Sequence, residues 1–386
     1  MTISLTNLIA DIEAKIAAAN SSTSTDELLK IIKAARAANT IANTYDSSGA
    51  MPIDSANVGN ILMSASDNFL YVLDSAGGSW SSITGSGDDG GGGGGGFTML
   101  GSSYGYVAGK HPQTDQIQRY SLASDGNATD VGDMISERRQ PAGLSSSDAG
   151  YRISSSSTTG YNTTEKMLFA SEASSSTSAY PYYTSGVASL HSADYGWIAG
   201  ANAATIDKYA YVADTFSTET PTLAGSSGHQ TGASSGSAGY VLGGYPYPTS
   251  LGGNAIQKFP FASGAVTESG HLLQPISRGT GTSSDTHGYN AGGKVGPPWI
   301  NGINSIEKFP FSSDGDATDV GDLIEGKYKQ QSSGNQSAAS GYDNGGTSPS
   351  TGLSNVIQKF PFSADGNATD VGDLVTAGMG QANNFV

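Results

Sequence analysis

The chain of 386 residues has no cysteine, few charges and few histidines. Without cysteine there are no disulfide staples, no thiolate metal sites and no thiol nucleophile. Charged residues make up 13%, and they are one-sided: 34 acidic against 18 basic, a net charge of −16. Such a balance repels phosphate backbones and excludes nucleic acid as an expected partner. No apolar run approaches the length of a membrane span, so no membrane insertion is expected. Met1 is followed by polar residues and then an acid-bearing amphipathic stretch, which is not the pattern of a secretory signal. His111, His191, His229, His271 and His287 include no pair at tight ligand spacing, and a turn or packing role is expected for each. There is no HExxH frame, no GxSxG elbow and no phosphate-binding GKS.

Small residues are abundant instead. Glycine occurs 54 times and hydrophobic content is 36%, a composition that sheets of many short strands tolerate. Residues 1–44 read as a helical pair: Leu5, Leu8, Ile9, Ile12 and Ile16 recur at helical spacing, and a second helix starts after Thr25 with acids in its first turn. Two such thin apolar faces call for docking or oligomerisation. Residues 45–83 read as a small β-module with strands at NILM, NFLYVLD and SWSSI. Residues 84–96 end in a run of glycines and read as a flexible linker.

Residues 97–386 are repetitive. Six Gly–aromatic pairs begin at Gly105, Gly150, Gly196, Gly239, Gly288 and Gly341, spaced 45, 46, 43, 49 and 53 residues apart. After each comes a hexapeptide: IQRYSL, TEKMLF, IDKYAY, IQKFPF, IEKFPF and IQKFPF. Three units continue with ATDVGD. A period of 40–50 residues holding four short strands predicts a mainly β fold, a six-bladed β-propeller, with the hexapeptide as the third strand of each blade. The C-terminal GQANNFV aligns with a first strand and is expected to close the ring within the chain, because an open ring would leave two bare sheet edges.

The GYxxGG strand followed by a hydrophobic strand resembles kelch repeats. The spelling IQKFPFSADGNATDVGDL, the helical pair and NFLYVLDSAGGSW resemble virion proteins of marine-type bacteriophages. That resemblance implies a fibre or decoration protein, assembled in the host cytoplasm into a virion, attached to other virion proteins through its N-terminal region, and oligomeric. The copper-binding Tyr–Cys cofactor of kelch-type oxidases is excluded by the lack of cysteine. Sialidase-like propellers need clustered arginines, and Arg138–Arg139 is the only adjacent pair here.

The cation in the hexapeptide is Arg119, Lys166, Lys208, Lys258, Lys308 or Lys359. A group present at six symmetry-related places is read as structural, a blade-to-blade bond, because a binding group is needed once. The repeated DGNATD could offer oxygens to Ca²⁺, but it reads as the turn between third and fourth strands, and no cofactor is expected. Recognition is placed in the unrepeated loops, where Tyr180, Tyr182, Tyr183, Tyr245, Tyr247 and Trp299 are candidate contacts for host glycan or protein. A purely architectural role is the alternative. A polysaccharide-degrading enzyme is a third reading, for which no catalytic constellation is visible.

Overall fold

The computed structural model describes residues 103–386, apart from 155–161, 183, 185, 201–203, 220, 226–227, 246–252, 263–264, 297–301, 329–333 and 386; before residue 103 it describes only four strands. The chain divides into two compact units, Met1–Gly93 and Gly94–Val386. In the first, Thr44–Tyr45 pairs parallel with Ile61–Ser64, which continues antiparallel through Leu70–Leu73 to Trp80–Ser82. The expected helices of residues 1–44 and the glycine linker lie outside the described residues.

The second unit is a six-bladed β-propeller, and its described residues include no helix. Each blade is an antiparallel meander, with strands named a to d from the first to the last. In blade 2 these are Ala142–Ser145, Ala149–Ile153, Thr163–Leu168 and Ser174–Ala179. Blades 3 to 6 repeat the pattern, with third strands at Ile206–Ala210, Ala255–Pro260, Gly302–Pro310 and Val356–Pro361. Blade 1 takes strand a from the C-terminus: Ala382–Phe385 pairs with Tyr104–Ala108, closing the ring within the chain.

The sequence repeat is a set of fasteners between blades. The aromatic of each Gly–aromatic pair stacks on the last hexapeptide residue of the next blade: Tyr106 on Phe169, Tyr151 on Tyr211, Trp197 on Phe261, Tyr240 on Phe311 and Tyr289 on Phe362, with centroids 4.0–5.2 Å apart. At the last interface Leu122 replaces the ring, and its carbonyl accepts the Tyr342 hydroxyl. At Gly105, Gly150, Gly196 and Gly239 the glycine is needed because strand a of the preceding blade fills the space a Cβ would take, and at Gly288 and Gly341 the Phe309 and Phe360 rings of the same blade fill it first. A Cβ on Gly150 would lie 2.8 Å from Asn384, and one on Gly196 2.5 Å from Leu144.

Strand a is built of small residues for the same reason. A Cβ on Gly143 would lie 2.5 Å from the Asn383 carbonyl oxygen of the neighbouring innermost strand, and one on Gly281 would overlap the Gly232 carbonyl. Backbone amides then bond across these strands: Phe385 N–H to Ser145 Oγ, Ser145 N–H to His191 Nδ1, His191 N–H to Ser234 Oγ, Ser234 N–H to Ser283 Oγ, and Ser283 N–H to Gln336 Oε1. Each a–b turn is locked by a serine whose Oγ accepts the N–H three residues on, as at Ser146, Ser192, Ser235, Ser284 and Ser337.

The second hexapeptide residue is a further fastener. Five of these buried side chains accept a backbone N–H from the segment leaving the preceding blade: Gln118 from Val375, Glu165 from Ile135, Gln257 from Ala224, Glu307 from Leu273 and Gln358 from Ile324. The sixth, Asp207, accepts the Tyr180 hydroxyl at 2.8 Å. A buried amide left unbonded costs about 1–3 kcal/mol, so the position must stay polar inside an otherwise apolar strand.

Candidate functional site

In this meander the a–b and c–d turns share one end of the propeller, and the b–c and d–a loops share the other. The hexapeptide cations serve the first end. Arg119 pairs with Glu172 at 2.5 Å, Lys166 with Asp214 at 3.4 Å, Lys258 with Asp314 at 3.3 Å, Lys308 with Asp365 at 2.5 Å, and Lys359 with Asp125. All five pairs cross to the following blade. Lys208 stays within its own blade, on Glu219 at 3.6 Å and over the Tyr195 ring.

The DGNATD turns take part in the same interlock. Asn127 Oδ1 accepts Asp373 N–H, Asp316 Oδ1 accepts His271 N–H, and Asn367 Oδ1 accepts Asp322 N–H. Next to each acceptor, Ala128, Ala317 and Ala368 return an N–H to the carbonyl of that same residue. These turns join blades 4 and 5, 5 and 6, and 6 and 1. No group of three or more His, Asp or Glu with metal-binding geometry occurs among the described residues.

The candidate aromatics scatter. Tyr180 is 1% exposed, so the expectation that it is a contact residue is corrected: its hydroxyl is drawn inward by Asp207 and its ring packs on Phe216. Tyr182 is half-buried, edge-on to Tyr180. Tyr183, Tyr247 and Trp299 lie outside the described residues. Tyr245 is 45% exposed, and its backbone bridges Gly228 in both directions.

That bridge leads to a group of residues the sequence did not announce. His229 follows Gly228, and its Nε2 lies 3.1 Å from Arg278 Nη2. A guanidinium only donates, so this imidazole nitrogen accepts and carries no proton. His229 and Arg278 occupy equivalent positions, two residues before strand a, with φ of 57° and 63°. The same position in other blades is Gln140, Gly186 and Gly380, all left-handed. Glycine is the low-cost choice there, and a side chain costs roughly 1–3 kcal/mol. Arg278 follows Ser277, which pairs across the sheet with Lys294, and the Lys294 ammonium sits 3.9 Å from the centroid of the Tyr328 ring. Tyr245, His229, Arg278, Lys294 and Tyr328 thus form a chain of neighbours across the b–c and d–a end of blades 4 and 5. His229 and Arg278 thus stand two residues ahead of strand a, where two other units hold glycine and one holds glutamine.

A second feature, an open groove at the edge of blade 1, is lined by Lys110, Gln113, Asp115, Asp130 and Asp133 among others; it holds no histidine and no aromatic ring.

No protein-family model matches the sequence, and no curated protein does. Among solved structures, one titled "Structure of YjhT" resembles the chain with a TM-score of 0.53 at 12% identity, covering 70% of this chain and 98% of that one. At this identity the likeness is one of fold. With 324 solved chains matching, the architecture is widely shared and specifies no activity.

Proposed function

We propose that this chain is a bacteriophage virion protein of the fibre or decoration type, whose kelch-like propeller recognises glycan on the host surface and performs no catalysis. The N-terminal unit attaches it to other virion proteins, in several copies. The resemblance of IQKFPFSADGNATDVGDL and of the N-terminal segments to phage virion proteins supports the virion assignment. The observation that carries recognition is the contrast between the two ends of the propeller. Five of the six repeated cations are consumed in blade-to-blade pairs, whereas the other end presents Tyr245, 45% exposed, and Tyr328 beneath the Lys294 ammonium on a closed ring. Aromatic rings on a fixed scaffold bury area at low entropic cost, which suits sugar faces.

The test is a glycan array probed with the full chain. Retention on a defined set of host-type glycans is expected, with signal reduced about tenfold or more in Tyr245→Ala, the loss of about 1.4 kcal/mol or more that one stacking ring supplies. Retention on no glycan and on no host envelope extract favours the architectural reading, and depolymerisation of a bound polysaccharide would replace recognition by catalysis.

A further inference from the structure

Resting on the proposed glycan reading, we infer that the surface formed by Arg278, Lys294, Tyr245 and Tyr328 selects acidic polysaccharide, with the two cations meeting sugar carboxylates and the two rings meeting sugar faces.

Most of the described bases of this acidic chain are already engaged. Each hexapeptide cation has a carboxylate partner. Among the others, Arg138 is fully buried on Glu165 at 2.6 Å, Lys327 is buried at 3.5 Å from Asp343, and Lys110 is buried with its ammonium on the Ala377 carbonyl. Arg152 is buried with one Nη against Met167 Sδ. Arg278 and Lys294 differ. Both are partly exposed, and among the described residues neither has a carboxylate partner. Arg278 touches a neutral imidazole, and Lys294 lies over a phenol ring. With a net charge of −16, a carboxylate partner would be easy to supply.

The backbone supports the same reading. Arg278 and His229 are held left-handed where glycine serves in two other blades, and strain of this kind persists where the side chain has work to do. His229 turns the guanidinium, since its Nε2 accepts from one Nη. The remaining donors of the planar fork suit a carboxylate, which takes two parallel N–H bonds. A neutral sugar would leave both cations unpaired, and an acidic one neutralises them. The net charge elsewhere repels the same polymer, so the attraction is local and confers orientation along with affinity.

The experiment is titration of the full chain with polygalacturonate and, separately, with dextran, at low and at raised salt. Binding to polygalacturonate at least about tenfold tighter than to dextran is expected, weakening steeply with salt as exposed charge pairs do. Arg278→Asn, which keeps a residue tolerant of the left-handed backbone, is expected to weaken polygalacturonate binding about tenfold or more at unchanged melting temperature. Lys294→Gln, near the end of the strand His287–Val295 and half-buried, is expected to weaken it several-fold. Equal binding of both polymers would overturn the acidic preference while leaving glycan recognition standing. Binding of neither would overturn the acidic preference, and retention on no array glycan would overturn glycan recognition itself. Selective binding that survives both substitutions would place the acidic site elsewhere and overturn the assignment.

Discussion

Deleting residues 382–386 is expected to abolish the cooperative unfolding transition of the propeller and to leave an aggregating chain. The reason is topological. Ala382–Phe385 is strand a of blade 1, and without it Tyr104–Ala108 becomes a bare edge in the middle of the ring. The same strand locks blade 2: Asn384 Nδ2 donates to the Leu144 carbonyl at 2.7 Å and to the Tyr151 carbonyl at 3.3 Å. Phe385 is 2% exposed and packs with Val107, Tyr120 and Tyr342, residues of blades 1 and 6. Phe385→Ala isolates the side-chain part of this closure and is expected to cost about 3–5 kcal/mol, as large-to-small changes in a core do. For a unit of this size that lowers the melting temperature by about 10 °C. Calorimetry of both variants checks the expectation; a truncated chain that melts like the parent would show that the ring closes by other means.

Glu307→Gln is expected to stabilise the protein above neutral pH and to give it a loss of stability on acidification that the parent lacks. Glu307 is fully buried; Oε2 accepts Leu273 N–H, and Oε1 has no partner among the described residues. Burial pushes its carboxyl up to about 7, against an ordinary value of 4.5. The folded state therefore holds the proton longer than the unfolded one. Stability falls as pH rises from 4.5 through 7 and is flat above, with a full cost of about 3 kcal/mol. His191 has the opposite slope. Buried, with Nδ1 accepting Ser145 N–H, it is pushed down to about 4, so stability is full above 6.5 and falls as pH drops from there to 4. The two slopes nearly cancel in the parent between pH 4.5 and 6.5. Glutamine already occupies the equivalent place at Gln257 and Gln358, where its oxygen accepts the same amide. In Glu307→Gln the new amide group lacks a partner, which takes back about 1 kcal/mol. The net gain at pH 8 is about 2 kcal/mol, and below pH 6.5 the variant loses stability on acidification while the parent does not. Denaturant midpoints at pH 4.5, 6.5 and 8 test this. Equal midpoints for parent and variant at pH 8 would show that the carboxyl is accommodated as an anion.

Much of this architecture was legible because the repeat is written in residues that serve symmetry-related contacts. The Gly–aromatic pairs and the last hexapeptide residues stand out as landmarks because they touch each other across blades. The closing strand was visible because ANNF occupies the alignment place of AGLS and ASLH. Other features were not legible, each for a physical reason. The polar second hexapeptide residue has no local partner in the sequence, and the amide it satisfies belongs to the segment leaving the preceding blade, as Leu273 does for Glu307. Tyr180 sits in a proline-flanked aromatic run that reads as an exposed loop, and the buried Asp207 that draws it inward is 27 residues away. Blade 6 carries an added hairpin, Thr347–Ser348 with Gly352–Leu353, inside its b–c loop, where serine and glycine read as irregular chain. Arg278 and His229 carry no local signature, because a left-handed backbone shows only when the repeats are aligned in space.

The propeller as proposed divides its labour: the repeated lysines fasten blades, and the unrepeated surface at the other end binds. One side-by-side measurement tests it, the affinity for polygalacturonate and the melting temperature of the full chain in two variants. The first carries Lys258→Gln, Lys308→Gln and Lys359→Gln together. The second carries Arg278→Asn. The lysine variant is expected to melt a few degrees lower, since each exposed pair contributes about 0–1 kcal/mol, and to bind as the parent does. The Arg278 variant is expected to melt as the parent does and to bind about tenfold or more weakly. A folded lysine variant that loses binding while Arg278→Asn retains it would make the hexapeptide the site and contradict the account.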